Sequence, residues 1–144
     1  MLALAVHGEL LVSGGADRTI RVWKGGAAVR VIANHWEAVH ALVFSPDGKF
    51  LASGSADRTL RIWQPEIGRL VRIVKGHEGT LLDLAWGEAG LVSASSDGKV
   101  RLISVEEAKV ERELGGHGDW VNAVAQAGPA VWSGDASGRL LSWK

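Results

Sequence analysis

Serine, histidine and aspartate, the residue types of a hydrolase triad, recur in this chain at fixed spacing. Ser13, Ser53, Ser93 and Ser133 lie 40 residues apart. Asp17, Asp57 and Asp97 follow with the same period, Ser137 takes the fourth place, and His35, His77 and His117 precede the last three serines. A nucleophilic serine needs an open face, a base and donors for an oxyanion. A set repeated along the chain, inside strands and tight turns, answers a different need: buried polar groups must find partners, and these can find one another. We read the set as structural and assign no catalytic residue.

Other chemistries find less support. His77-Glu78 is not followed by a second histidine at helical spacing, no histidine pair has zinc-finger spacing, and there is no cysteine, so neither a metal nor a cofactor is expected. The glycine pairs Gly14-Gly15 and Gly25-Gly26 lack the lysine-serine or lysine-threonine ending of a phosphate loop and read as turns. His7 aligns with Asp47, a turn position, and is expected in solvent. Arg18 and Arg21, Arg58 and Arg61, then Lys99 and Arg101 form a basic ladder that could track phosphates. Sixteen basic and 16 acidic side chains leave no net charge, where a nucleic-acid binder shows an excess. The ladder is therefore expected to cover apolar strands with its stems.

The elements that position these residues are short strands. The 144 residues are 47% hydrophobic and 22% charged, as in an ordinary globular domain, with 19 glycines, 7 tryptophans and no tyrosine. Turn formers mixed with heavy apolar anchors suit an all-β chain. No apolar run approaches the ~18 residues of a membrane span, and Met1 to Val6 lacks a basic leader; a cytoplasmic protein is expected. The segments LVSGGADRTIRVW from 11, LASGSADRTLRIW from 51, LVSASSDGKVRLI from 91 and VWSGDASGRLLSW from 131 are four copies of one unit. A period near 40 means that each unit buries its faces only against neighbours. The single domain 1–144 divides into repeats of approximately 1–23, 24–63, 64–103 and 104–144. In the second, 38–44, 50–54, 59–63 and 69–74 read as strands separated by the turns SPDG and SADR. The segment 106–114 favours helix by composition, but its register makes it a strand. About fifteen strands are expected in all.

With Gly76-His77 and Gly116-His117 opening two units, Asn34-His35 another, and tryptophan closing three, the chain resembles the WD-repeat (WD40) β-propeller family over its full length. The resemblance implies four-stranded blades in which each repeat gives the outer strand of one blade and three strands of the next. It implies a buried network of His35, Ser53, Asp57 and Trp63. Ser13, Asp17 and Trp23 form a set without histidine, His77, Ser93 and Asp97 one without an indole because Ile103 replaces tryptophan, and His117, Ser133 and Trp143 one without a carboxylate. The last two blades are accordingly expected to be weaker.

The family's usual role implies a non-catalytic scaffold that binds a protein or peptide on its top face. Trp86 and Trp132 read as packed, whereas Trp36 and Trp120 lie in loops that the resemblance puts on that face. They are the expected partner anchors, with Glu37, Glu78 and Asp119 as a polar rim and His40 and Asn122 at the channel mouth. Four periods of 40 exceed the 144 residues by 16, which leaves an outer strand and its loop unaccounted for. Propellers of this family have roughly seven or eight blades, so four repeats make a half-propeller. The expectation is a homodimer closing an eight-bladed ring, with a partner protein completing a split propeller as the rival.

Overall fold

The computed structural model describes residues 1–143, and all regular structure among them is β. The first sheet holds β1 (Ala3–His7), β2 (Leu10–Gly14), β3 (Ile20–Lys24) and β4 (Ala27–Ile32). The second holds β5 (Val39–Phe44), β6 (Leu51–Ser55), β7 (Leu60–Gln64) and β8 (Arg69–Val74). The third holds β9 (Leu81–Gly87), β10 (Gly90–Ser95), β11 (Val100–Ser104) and β12 (Lys109–Glu113), and the fourth β13 (Val121–Ala127), β14 (Ala130–Asp135) and β15 (Leu140–Trp143). Each sheet is an antiparallel meander in chain order. No helix of the described residues is long and apolar enough to cross a membrane.

The sequence period is also the pairing register. Ser13 faces Arg21, Ser53 faces Arg61, Ser93 faces Arg101 and Ser133 faces Leu141 across the second and third strands. Where the pattern is fixed at both levels, a slip of one residue would turn every buried side chain outward. The first strands of the last three sheets share a bulge, which leaves His40, Leu82 and Asn122 without a cross-strand partner. A bulge bends its strand and re-aims a side chain.

The core lies between consecutive sheets. Val12 and Val22 pack on Val39, Leu42 and Phe44, while Ala52 and Ile62 pack on Leu81 and Leu84. Val92 and Ala94 pack on Val121 and Val124 in the same way. Strands β1, β5, β9 and β13 follow one another as the shared edge of the stack. The approach is close enough to require glycine: a Cβ at Gly14 would stand 2.6 Å from Val39, and one at Gly54 would stand 2.8 Å from Leu81.

Three local expectations need correction. Residues 105–108 are a turn and only Lys109–Glu113 is strand, because Ala108 adopts a left-handed φ of 53° and the Glu107 amide donates to Ser104 Oγ. His7 closes β1 instead of lying in a turn, with its ring 5.7 Å from that of Phe44. Trp132 is not packed: it is 42% exposed, although Val12, Ala52 and Val92 at the same repeat position are fully buried. Those three are covered by the following sheet, and no described residue covers the fourth. Trp86 does pack, at the border of the middle core.

Candidate functional site

The polar network is built where the second strand, the turn after it and the loop entering the sheet converge. In the second sheet His35 Nδ1 lies 2.8 Å from Asp57 Oδ2, and its Nε2 lies 2.7 Å from Ser53 Oγ. Trp63 donates its indole hydrogen to the same Ser53 oxygen at 2.8 Å. Since the carboxylate can only accept, Nδ1 carries the proton, and the Ser53 hydroxyl donates to Nε2. Burial raises the Asp57 pKa, but hydrogen bonds from His35 and Thr59 outweigh it and hold the carboxyl far below the usual range. The chain of donors runs as in a hydrolase, but Ser53 is fully buried and capped by the indole, which leaves it no face for a substrate.

The other sheets vary the theme. In the first, Trp23 donates to Ser13 at 3.0 Å, and Asp17 accepts from Thr19 and Arg21. In the third, His77 Nε2 meets Ser93 Oγ at 2.8 Å while its buried Nδ1 has no partner among the described residues. Asp97 is drawn instead to the buried Arg101, 2.7 Å away. Burial and the Arg101 charge push the His77 pKa down to about 4.

The fourth sheet corrects the expectation that its set lacks a carboxylate. His117 Nδ1 lies 2.9 Å from Asp135 Oδ2 and its Nε2 lies 2.7 Å from Ser133, which also accepts from Trp143. Asp135 stands two positions before Ser137, so serine and aspartate have exchanged places relative to Ser55 and Asp57. A matching exchange supplies the cation. Arg139 Nη1 donates to the Gly116 carbonyl as Arg61 Nη1 does to that of Asn34, again from two positions earlier.

The tryptophan loops lie above these networks. Trp36 and Glu37 stand in the β4–β5 loop, Glu78 in the β8–β9 loop, and Asp119 with Trp120 in the β12–β13 loop, all at the same end of their sheets. Trp36 is 76% exposed and Trp120 58%, against 1% for Trp63. Two of these loops are tied to the turn beneath them: Asp57 Oδ2 accepts the Trp36 amide at 3.1 Å, and Asp97 Oδ2 accepts that of Glu78 at 3.1 Å. Asp119 turns its carboxylate back onto the Trp120 amide at 2.7 Å. Glu37 and Glu78 remain exposed, Asn122 is exposed on its bulge and His40 is half-buried on the matching one. Beside Trp36 the structure adds a groove missed in the sequence, lined by Arg58, Ile73 and Lys75. Arg58 holds a left-handed φ of 67°, as Arg18 does at 70°, where Gly98 and Gly138 serve in the last two sheets, a costly backbone for any residue with a Cβ. That mismatch within the repeat was the available signal.

The basic ladder does not form a continuous face. Arg61 and Arg101 are buried, Arg101 and Lys99 both pair with Glu113, and Arg21 pairs with Asp17. Arg18 and Arg58 are left exposed. No group of histidine, aspartate and glutamate among the described residues could hold a metal.

Comparison with known proteins agrees with this construction. No curated protein matches the chain. The crystal structure of the computationally designed Ika4 protein is similar, with a TM-score of 0.90 and 30% identity over 99% of this chain and 89% of that one. The family model described as WD domain, G-beta repeat matches residues 2–24, 26–64 and 68–104, stopping short of the unit in which aspartate and arginine have shifted. A 40-residue repeat, four antiparallel meanders and this model together show that the chain belongs to the WD40 repeat family.

Proposed function

We propose that the chain is a non-catalytic interaction scaffold that binds a protein or peptide at the tryptophan-bearing end of its blades. The observation that carries this reading is the exposure of Trp36 and Trp120 in corresponding loops whose tryptophan amides are held by the carboxylates of Asp57 and Asp119. Exposed indoles give a large apolar contact at little entropic cost, because the side chain has only two rotatable bonds. The groove beside Trp36 adds Ile73 as a second apolar wall and Arg58 and Lys75 as cations, which suits a segment with an apolar anchor flanked by acidic residues. Because the ladder's inner arginines are internal partners, a phosphate-tracking reading has less support. The test is capture by the immobilised protein compared with a Trp36→Ala/Trp120→Ala variant. The scaffold reading expects partners lost from the variant at unchanged Tm, and a variant that retains every partner contradicts it.

The reading extends to assembly, where two copies close one eight-bladed ring. Its support is the match between the two ends. On the first blade Leu4, Val6 and Leu11 are exposed, at positions where Leu42, Phe44 and Leu51 of the second are buried by the blade before. On the fourth blade Trp132 and Leu140 are exposed, at positions where Val92 and Val100 of the third are buried by the blade after. Gly134 repeats the small residue that lets the next inner strand approach, yet a Cβ there would meet nothing nearer than the Arg139 carbonyl at 4.0 Å. Each end thus keeps the residues of an internal joint, and the complement of one end is the other end of a second copy. This favours a homodimer over a split propeller completed by a different protein. Sedimentation of a Leu4→Glu/Trp132→Glu variant checks it: the ring reading expects dissociation to single chains, and an unchanged mass contradicts it.

A further inference from the structure

The groove beside Trp36 has a counterpart one blade further on, and the two differ at four positions. Trp36 corresponds to Glu78, since both amides donate to Oδ2 of the aspartate in the turn beneath. Arg58 corresponds to Gly98, at the left-handed position of that turn. Ile73 and Glu113 each stand opposite the third-strand arginine, and Lys75 and Gly115 each precede the entry histidine by two residues. An indole, an aliphatic side chain and two cations in the second blade thus give way to two carboxylates and two glycines in the third.

The sign of the surface changes with them. In the Trp36 groove Arg58 and Lys75 are exposed, while the one lining carboxylate, Asp57, is buried and bonded to His35 and Thr59. Glu37 does not line the groove. In the counterpart, Lys99 and the buried Arg101 are paired with Glu113 and Asp97, and Glu78 is exposed. Gly98 also lines a cleft with Asp119 and Trp120, so the second exposed indole stands beside exposed carboxylates. The first cleft lies where the second blade meets the third and the other where the third meets the fourth.

Resting on the scaffold reading above, we propose that one extended segment of a partner protein spans both clefts, with an acidic residue beside its first apolar anchor and a basic residue beside its second. The acidic residue pairs with Arg58 and Lys75 while its anchor packs on Trp36 and Ile73. The basic residue meets Glu78 and Asp119 while the other anchor packs on Trp120. Opposite charges on neighbouring clefts fix which half of the segment enters which, because a slip by one blade sets like charges against each other. The indoles supply contact area and the charges supply register.

The probe is the fluorescein-labelled peptide EWEGSGSGSGSKWK, followed by anisotropy at low salt. Packed sheets lie about 10 Å apart, and its flexible linker spans up to about 26 Å, enough for one blade step. The mixed peptide is expected to bind about tenfold more tightly than the EWE-EWE and KWK-KWK peptides with the same linker, and than its own halves added separately. Arg58→Gly/Lys75→Ala should remove that advantage without lowering Tm, since the repeat itself places Gly98 and Ala33 at these positions. Equal binding of the three peptides, separate halves that bind as tightly as the linked ones, or no binding of any peptide overturns the two-cleft segment. Partner capture that still depends on Trp36 and Trp120 would then leave the scaffold reading standing. Mixed-peptide binding undiminished by Trp36→Ala/Trp120→Ala overturns both.

Discussion

At the scale of residues, the family set divides into groups that hold the blades and groups that face outward, and burial separates the two. Asp57 accepts from His35, Thr59 and the Trp36 amide, so replacing it strands several donors at once. Asp57→Ala is expected to cost about 1–3 kcal/mol in denaturant unfolding. Trp63→Ala should cost about 3–5 kcal/mol, whereas alanine at Trp36 or Trp120 should cost a small fraction of that, because little of either indole leaves water. Equal losses at all three would contradict the assignment. His77 carries a pH signature. Its folded pKa of about 4 lies below the ordinary imidazole value of 6.5, so between those values the unfolded chain binds the extra proton and stability falls as pH drops. The loss should approach about 3 kcal/mol near pH 4. Chemical unfolding between pH 7 and 4 should show that slope in the parent and a flatter one in His77→Gln; identical slopes would count against a buried neutral imidazole.

At the scale of elements, the blade is a pattern that tolerates exchange. Moving aspartate and arginine two positions earlier in the fourth repeat keeps the His117 carboxylate bond and the carbonyl bond at Gly116. Asp135→Ala should therefore lower Tm clearly and Ser137→Ala much less, measured by calorimetry; the reverse order would mean that the turn position still governs. This exchange also shows what could be read in the sequence. Strand order, turn chemistry and the three complete histidine–serine contacts follow from local spacing, which the 40-residue register fixes. The Asp135 contact was missed because the register was matched position by position, while hydrogen bonding only requires a carboxylate within reach. Trp132 was missed for a different reason. Its burial depends on whether a blade follows, which is a property of the stack and not of the strand. Likewise Asp83, whose carboxyl pKa is raised by burial and only partly offset by the Val124 and Leu84 amides, joins the third blade to the fourth from a position that holds Ala41 and Ala123 elsewhere. Gln126 reinforces the same joint by bonding Ala89, Ala85 and Gly90.

At the scale of the molecule, the chain's 7248 Å² of accessible surface is close to the roughly 7,100 Å² of a compact monomer of its mass. What marks the two ends is the kind of surface they present. Leu4 and Leu11 at one end and Trp132 and Leu140 at the other stand at positions that every internal joint buries. A stack of blades with matching ends closes when rotation per blade and blade number agree, and a two-fold pairing of four blades satisfies the eight-bladed case. The scaffold reading then gains a consequence: two Trp36 and two Trp120 side chains would stand on one rim, so that a partner with two binding segments gains avidity. The most direct measurement is the mass of the purified 144-residue chain by light scattering at micromolar concentration. A ring of two copies should weigh twice 15.3 kDa, and a stable particle of 15.3 kDa with protected core amides would contradict it.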